Sequence, residues 1–470
     1  MSLPDFKNKT TVLLGAGVSN MPLAEYLVAA GAAVIARDKK TEAELGENGE
    51  KLRALGVRII GGEGYLDGIC GDYIFRSPGF RPDLPALQTA VENGAVLTSE
   101  MELFLENRPC TAIGITGSDG KTTTTTLISE ILRHASADSD AQVFLGGNIG
   151  EPMLHRIDRM TERDFAVVEL SSFQLMTVSR APDVAVITNV TPNHLNWHTD
   201  MEEYVIAKAK ILDGCARAVL NYENEITRRL AAEADCPVTL FAHDPIPEEV
   251  LRPEDSAIYE RDGMIVFRLA GDEEEFPILS VSDILLPGRH NVENYMAAIA
   301  AVRGYADPDD IAAVARTFCG VRHRLERVHE TGGVAYYNSS IDSSPTRPAA
   351  ALGAMADRSL VLICGGYDKN IPFEPLADAI FAHGRIRAVV LTGATAEKIE
   401  DALRGHPAFA HRGFKLLKEP DFTKAVLAAD GAAIPGDAVL LSPACASFDA
   451  FANFEKRGER FCEIVRGITR

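Results

Sequence analysis

Ala112-Ile113-Gly114-Ile115-Thr116-Gly117-Ser118-Asp119-Gly120-Lys121-Thr122-Thr123 is the stretch on which the reading of this chain turns. A short apolar run enters a glycine-bearing loop, and Leu127, Ile128, Ile131 and Leu132 behind it fall on one face of a helix. Glycines let backbone N–H groups curl around a phosphate, the helix N-terminus adds partial positive charge, and Lys121 adds a full one. Thr122 offers a hydroxyl to Mg²⁺. The spacing is the short Gly-x-x-Gly-Lys-Thr form, because Ile115 stands where the longer form has its first glycine. A turn that merely caps a helix needs neither the lysine nor the threonine, so phosphate binding is the reading kept.

The same alternation recurs along the chain. Thr11–Leu14, Phe165–Val168, Val184–Ile187, Leu360–Ile363, Ala388–Leu391 and Ala438–Leu441 are short apolar runs, each followed by a helical pattern. Buried runs alternating with helices predict an α/β fold with parallel sheets, whose ligands sit beyond the carboxyl ends of the strands. A chain of 470 residues exceeds one hydrophobic core. Seams near Asn107-Arg108-Pro109 and Cys319-Gly320 divide it into three expected domains, 1–108, 109–320 and 321–470. The acidic stretch Asp244–Glu275 reads as a surface excursion.

Composition narrows the function classes. Hydrophobic residues make up 46% and charged residues 24%, the balance of a soluble globular protein. Lys plus Arg total 47 against 67 for Asp plus Glu, a net charge of -20 that opposes adhesion to nucleic acid or anionic membranes. An anionic substrate therefore needs local cationic pockets. The eight cysteines form no Cys-x-x-Cys pair, which points to a reducing compartment without a disulfide framework or structural zinc. No basic-then-apolar leader and no bilayer-length apolar run is present, so the expected location is the cytoplasm.

Two further runs bring candidate metal ligands. Val167-Val168-Glu169 puts a lone carboxylate at a strand end, and Val186-Ile187-Thr188-Asn189 leads to His194 after the next strand. Neighbouring parallel strands lie about 5 Å apart, so both groups can meet at the phosphate loop. Mg²⁺ prefers oxygen ligands, which favours Glu169; an isolated histidine is more often a hydrogen-bonded structural one. Tyr204 and Lys208 share a helix face, whereas Lys210 points elsewhere. Surface solvation is the default for both lysines.

Taken together, these pieces resemble the Mur ligase family over essentially the whole chain. The resemblance is carried by Gly117–Thr123, Gly147-Asn148-Ile149-Gly150, Glu169–Gln174, Asn189 with His194, Tyr204 with Lys208, Gly288–Asn291, His323-Arg324, Gly365–Lys369, Leu441–Asp449 and Asn453-Phe454-Glu455. It implies a Rossmann-like N-terminal domain for a uridine nucleotide, a central P-loop ATPase-type domain and a Rossmann-like C-terminal domain for an amino acid. It further implies an ATP- and Mg²⁺-dependent, amide-forming ligase of peptidoglycan precursor synthesis, working as a monomer through an acyl phosphate. The Ser442–Ser447 stretch resembles the D-glutamate-adding members, which implies UDP-N-acetylmuramoyl-L-alanine and D-glutamate as substrates.

The resemblance also implies roles. Gly117, Ser118, Asp119, Gly120, Lys121, Thr122 and Thr123 would hold the ATP phosphates, with Asn291, Asn294 and Arg324 as further nucleotide contacts. Thr122 and Glu169 would bind one Mg²⁺; Glu169, His194 and a carbamylated Lys208 would bind a second. Val18, Ser19, Asp38 and Lys40 would meet the uridine diphosphate, and Asn148, Ser171 and His194 the muramoyl-alanine portion. His323 would lie near the phosphates, while Ser343, Lys369, Ser447 and Phe454 would form the D-glutamate pocket.

The chain departs from the family pattern at named places. Ser339, Ile341 and Asp342 stand where Asp, Lys and Ala are usual; Asp119 and Asn193 replace a usual Asn and Asp; and Tyr367-Asp368 reorders the acid before Lys369. Three other readings remain: a sister ligase with a different amino-acid or folate substrate, a non-catalytic nucleotide-binding relative, and a dehydrogenase. The last rests on Gly15-Ala16-Gly17 alone, with Asn20 in place of the third glycine.

Overall fold

A computed structural model describes residues 3–17, 19–272 and 274–470. All seven apolar runs lie inside strands, and the strands form three sheets. The first contains β1 (Thr10–Leu14), β2 (Ala33–Asp38), β3 (Arg58–Gly61), β4 (Tyr73–Arg76) and β5 (Val96–Thr98) in the order β3-β2-β1-β4-β5, all parallel.

The second contains β6 (Thr111–Thr116), β7 (Val143–Gly147), β8 (Phe165–Glu169), β9 (Val184–Ile187), β10 (Arg217–Asn221), β11 (Val238–Ala242), β12 (Ser256–Arg261), β13 (Met264–Leu269) and β14 (Phe276–Ser280). Their order is β14-β13-β12-β11-β10-β9-β6-β8-β7, parallel from β7 to β12. Strands β13 and β14 run antiparallel at the edge. The expectation of a surface excursion over 244–275 is corrected here. Ala257, Ile258 and Tyr259 of β12 and Ile265 of β13 are fully buried, because short apolar runs within the acidic stretch pair as a hairpin that extends the sheet.

The third sheet contains β15 (Glu326–Thr331), β16 (Val334–Asn338), β17 (Ser359–Gly365), β18 (Ile386–Thr392), β19 (Lys415–Lys418) and β20 (Asp437–Leu441) in the order β15-β16-β20-β17-β18-β19. Only β15 is antiparallel. The central strands of all three sheets lack polar alternation, as expected when helices cover both faces.

The chain falls into two compact units, Met1–Asp283 with Glu293–Val314 and Ile284–Val292 with Ala315–Arg470. The first two sheets belong to the former and the third to the latter. In the first unit one apolar cluster runs from Leu13 and Phe75 through Met101 and Phe104 to Met153 and Val168. The helix Glu100–Asn107 joins the two sheets, and its buried Glu100 accepts the backbone N–H of Leu154 at 2.6 Å. Burial pushes that carboxyl up to about 7, only partly offset by the two backbone donors at Met153 and Leu154.

Candidate active site

Strand β6 delivers Gly117–Gly120 directly to the N-terminus of the helix Lys121–Ala135. The loop is held from the side by the segment after β9. Asn189 takes the N–H of Ser118 on its carbonyl (2.9 Å) and that of Asp119 on its side chain (2.9 Å), while Thr188 donates its hydroxyl to the Asp119 carbonyl at 2.6 Å. Ser118 Oγ bonds the Thr191 backbone and lies 3.0 Å from the Tyr204 hydroxyl. Gly117 has φ +149°, and a Cβ there would lie 1.9 Å from Thr188 Oγ1, so no side chain fits. Gly120 has φ +79°, and its Cβ would meet Asn294 Oδ1 at 2.4 Å.

Register brings the acid to this loop. Glu169 pairs with Ile115 across β6 and with Gly147 across β7. Its side chain is 2% exposed, and Oε1 accepts from Asn148 Nδ2 at 2.8 Å while Oε2 has no hydrogen-bond partner. A buried carboxylate oxygen without a donor is costly unless a cation completes it, which fits a hard divalent ion at this position.

Lys208 lies on the helix Met201–Ala209, is 2% exposed, and donates to the Gly117 carbonyl at 2.7 Å and to Thr116 Oγ1 at 3.3 Å. The surface default is thus corrected: this lysine is turned into the phosphate loop. Burial, then repulsion from Lys121, pushes its amine down to about 6, against the weaker pull of Asp119 and Glu169. Lys121 Nζ donates to the carbonyls of Gly117 and Ser118 at 2.9 and 2.8 Å. His194 is exposed on the loop after β9, with φ +56° and its ring 5.0 Å from that of Phe173. Burial, Lys121 and Lys208 hold its imidazole below the ordinary value, which favours the neutral form that can act as a ligand. Acid, imidazole and two lysines therefore share one electrostatic neighbourhood.

The other expected residues are placed as follows. Thr122 is buried in the first turn of the helix and Thr123 half-buried beside it. Ser171 caps the short helix Ser172–Leu175 in a reciprocal box with Gln174. Asn294 Oδ1 accepts the Thr124 hydroxyl at 3.2 Å. In the first sheet Asp38 ends β2 and takes the N–H groups of Ala16 and Lys40 at 2.8 and 2.9 Å. Ser19 precedes the helix Asn20–Ala29 without a side-chain capping bond. Val18 lies outside the described residues.

The second unit holds the remaining ones. Asn291 Nδ2 donates to the Pro287 carbonyl at 2.6 Å. His323 is buried with φ +63°, its Nδ1 2.9 Å from Asn338 Nδ2, while Arg324 beside it is exposed. Lys369 Nζ donates to the Ser343 carbonyl at 3.2 Å, and both line a small crevice with Tyr367 and Cys445. Ser447 is buried, and Phe454 sets its ring 6.1 Å from that of His323.

Several supporting residues gave no sequence signal. Arg76, fully buried, donates to the carbonyls of Phe80 (2.9 Å) and Phe173 (2.6 Å), fastening the end of β4 to the segment after Glu169. Arg81 grips Glu203 at 2.7 Å and the Trp197 carbonyl at 2.9 Å; Glu203 in turn meets His198, whose other nitrogen is 2.9 Å from Ser172 Oγ. This network fixes the start of the helix that carries Lys208. In the second unit the buried Arg457 donates to the carbonyls of Ser340, Cys445 and Ala446, binding the two loops around the crevice.

Comparison with known proteins gives the family of the chain. Residues 115–302 match the Mur ligase middle domain and residues 323–445 the Mur ligase glutamate ligase domain. The UDP-N-acetylmuramoylalanine–D-glutamate ligase of Acetivibrio thermocellus is 45% identical over 98% of this chain and 97% of its own. The chain belongs to the Mur ligase family. Ligases of the same name from Ruminiclostridium cellulolyticum (44%, over 99% of this chain and 98% of its own) and Clostridium novyi (45%, over 98% and 97%) are similar to the same extent. Among solved structures, the UDP-N-acetylmuramate–alanine ligase of Thermotoga maritima matches with a TM-score of 0.54 at 19% identity, over 98% of this chain and 99% of that one. That likeness concerns the fold alone.

Proposed function

We propose that this Mur ligase adds D-glutamate to UDP-N-acetylmuramoyl-L-alanine at the expense of ATP, in peptidoglycan precursor synthesis in the cytoplasm. The observation that carries the proposal is the convergence of Lys121, Glu169, His194 and Lys208 on one phosphate loop, in a chain whose near-full-length relatives bear that ligase name. No helix of the described residues is long and apolar enough to cross a membrane.

A carboxylate is a poor electrophile until it acquires a leaving group. The γ-phosphoryl group of ATP moves to an oxygen of the alanyl carboxylate, breaking its bond to ADP. The amine of D-glutamate then attacks the acyl carbon and loses a proton, and the tetrahedral intermediate expels inorganic phosphate to leave an amide. Lys121 and the N–H groups of the loop neutralise the migrating phosphoryl charge, and positioning supplies most of the rest.

Thr122 and Glu169 would hold one Mg²⁺, and Glu169, His194 and Lys208 a second, the metal supplying charge neutralisation between phosphate and carboxylate oxygens. A bare lysine is a poor ligand beside Mg²⁺. With its amine pushed down to about 6, Lys208 is neutral at physiological pH and can add CO₂ through a new N–C bond, releasing a proton to solvent, which converts it into an anionic oxygen donor. Ser19, Asp38 and Lys40 are the uridine-diphosphate contacts; Asn148 and Ser171 meet the muramoyl-alanine part; Asn291, Asn294, His323 and Arg324 serve the nucleotide. Ser343, Lys369, Ser447 and Phe454 form the amino-acid pocket, where a cation and hydroxyls suit two carboxylates. The domains run 1–108, 109–320 and 321–470.

Phosphate release from ATP with UDP-N-acetylmuramoyl-L-alanine tests the reading, comparing D-glutamate with L-glutamate, D-aspartate, lysine and diaminopimelate. Release with D-glutamate alone is expected. Equal or greater release with another amino acid overturns the substrate assignment.

A further inference from the structure

We propose that the first unit carries a further cation site, with ligands distinct from those at the phosphate loop, built from Glu223, His243 and Glu293 and backed by Glu260, which takes a divalent transition cation such as Zn²⁺ or Mn²⁺. Glu223 follows β10, His243 follows β11 and Glu260 lies at the end of β12. These are the carboxyl ends of three neighbouring parallel strands, where a doubly wound sheet leaves its binding crevice. Glu293 reaches the same point from the helix Arg289–Val302.

One ligand atom from each of Glu223, His243 and Glu293 lies within 4.8 Å of the others, a spacing that small side-chain rotations bring to that of donors around one metal ion with bonds of about 2.0–2.2 Å. The imidazole is the centre of the group and its side chain is 4% exposed. Its Nε2 is 3.1 Å from Glu293 Oε1 and its Nδ1 is 3.6 Å from Glu260 Oε2, while its backbone N–H donates to Glu223 Oε1 at 3.3 Å.

Charge decides between a proton and a metal. Among the described residues no Lys or Arg forms an ion pair with Glu223, Glu260 or Glu293. A protonated imidazole supplies one positive charge against three carboxylates, and it leaves the group acidic. A divalent ion supplies two and lets a neutral imidazole coordinate through nitrogen. The mixed nitrogen and oxygen donors favour Zn²⁺ or Mn²⁺ over Mg²⁺ and Ca²⁺, which prefer oxygen. Occupancy would fasten the helix at Glu293 to the ends of β10 and β11. The next residue, Asn294, accepts the Thr124 hydroxyl and stands over Gly120, so the clamp would steady one wall of the phosphate loop.

The test uses metal-stripped full-length protein, dialysed against micromolar Zn²⁺ or Mn²⁺ with excess Mg²⁺ to fill the oxygen-rich site at Glu169. Metal content after dialysis should show a single retained equivalent that Glu169→Gln keeps. The exposed Glu223→Gln should bind it roughly 10–100-fold more weakly, and Glu223→Gln with Glu293→Gln should lose it. Co²⁺ in place of Zn²⁺ should give a visible absorption band in the wild-type protein and in Glu169→Gln but not in the double variant, a signature that a purely structural histidine cannot produce. Equal retention by the wild-type protein and the double variant, or no retention beyond what Glu169→Gln removes, overturns the site.

Discussion

Lys121 and Lys208 donate to the same acceptor, the carbonyl oxygen of Gly117, at 2.9 and 2.7 Å. Two full positive charges on one carbonyl, with Lys208 buried, are not sustained together, and the deeper amine is the one that yields its proton. Lys208 is thereby left a neutral amine beside Lys121; under the proposed function the first takes up CO₂ and the second meets phosphate. The shared carbonyl separates their chemistry.

Removing the mobile cation should leave the fold and stop the chemistry. Lys121→Ala is expected to lower turnover roughly 10²–10³-fold or more, since a preorganised charge contact to the transferring phosphoryl group is lost. Phosphate release and circular dichroism on the same sample check this. Near-normal turnover rejects the role.

The Lys208 amine titrates at about 6 in the folded chain against 10.5 when unfolded. Between these values the unfolded state binds the extra proton, so the cost of burying this group is full below pH 6 and is relieved as pH rises. Carbamylation therefore requires pH above about 6. Protein freed of CO₂ should lose activity and regain it with bicarbonate, and intact mass should rise by one CO₂. A plain amine at full activity under bicarbonate would refute the modification.

Glu100 behaves in the opposite sense. Its carboxyl titrates at about 7 in the fold against 4.5 unfolded, so stability falls as pH rises through that window and stays lower above it. Glu100→Gln keeps the acceptor for the Leu154 N–H and removes the ionisation. Urea unfolding should find the variant more stable by about 1–3 kcal/mol at pH 8 and little changed near pH 4.5. A destabilised variant at pH 8 counts against the assignment.

Asp342 and Ser339 form a pair in the second unit. The buried carboxylate takes a hydrogen bond from Ser442 Oγ at 2.7 Å and a further one from Ser339, and its pKa is raised chiefly by burial. Asp342 lies three residues after Ser339, the position at which the family resemblance implies an acid. Ser339→Asp should set two carboxylates against each other and destabilise by about 2 kcal/mol or more, and Asp342→Ala in the same chain should recover most of the loss. Additive losses in thermal melts would show that the two positions do not interact.

The sequence exposed whatever depends on local pattern. Apolar runs without alternation revealed parallel strands, and Gly117, Gly120 and Lys121 revealed the phosphate loop. What it hid depends on distant partners. Lys208 looks like any helix lysine until the helix Met201–Ala209 is docked by Arg81, Glu203 and His198. Arg76 and Arg457 find their carbonyl partners only in the fold. The hairpin of β12 and β13 was masked because its apolar residues lie in a stretch rich in acids. The family resemblance singles out Asn148 and Ser171, while their bonds to Glu169 and Gln174 follow from register and capping.

Gly147, Glu169 and Ile115 occupy one rung across three adjacent strands. Adding a residue within Phe165–Glu169 would swing the carboxylate to the opposite side of the pleat, away from the Gly117–Gly120 loop. Extra residues in the exposed turn at 137–140, between the helix and β7, would leave that rung untouched. Permissive sites for tags or circular permutation should therefore cluster at the amino ends of the strands, while the carboxyl ends tolerate no change in length.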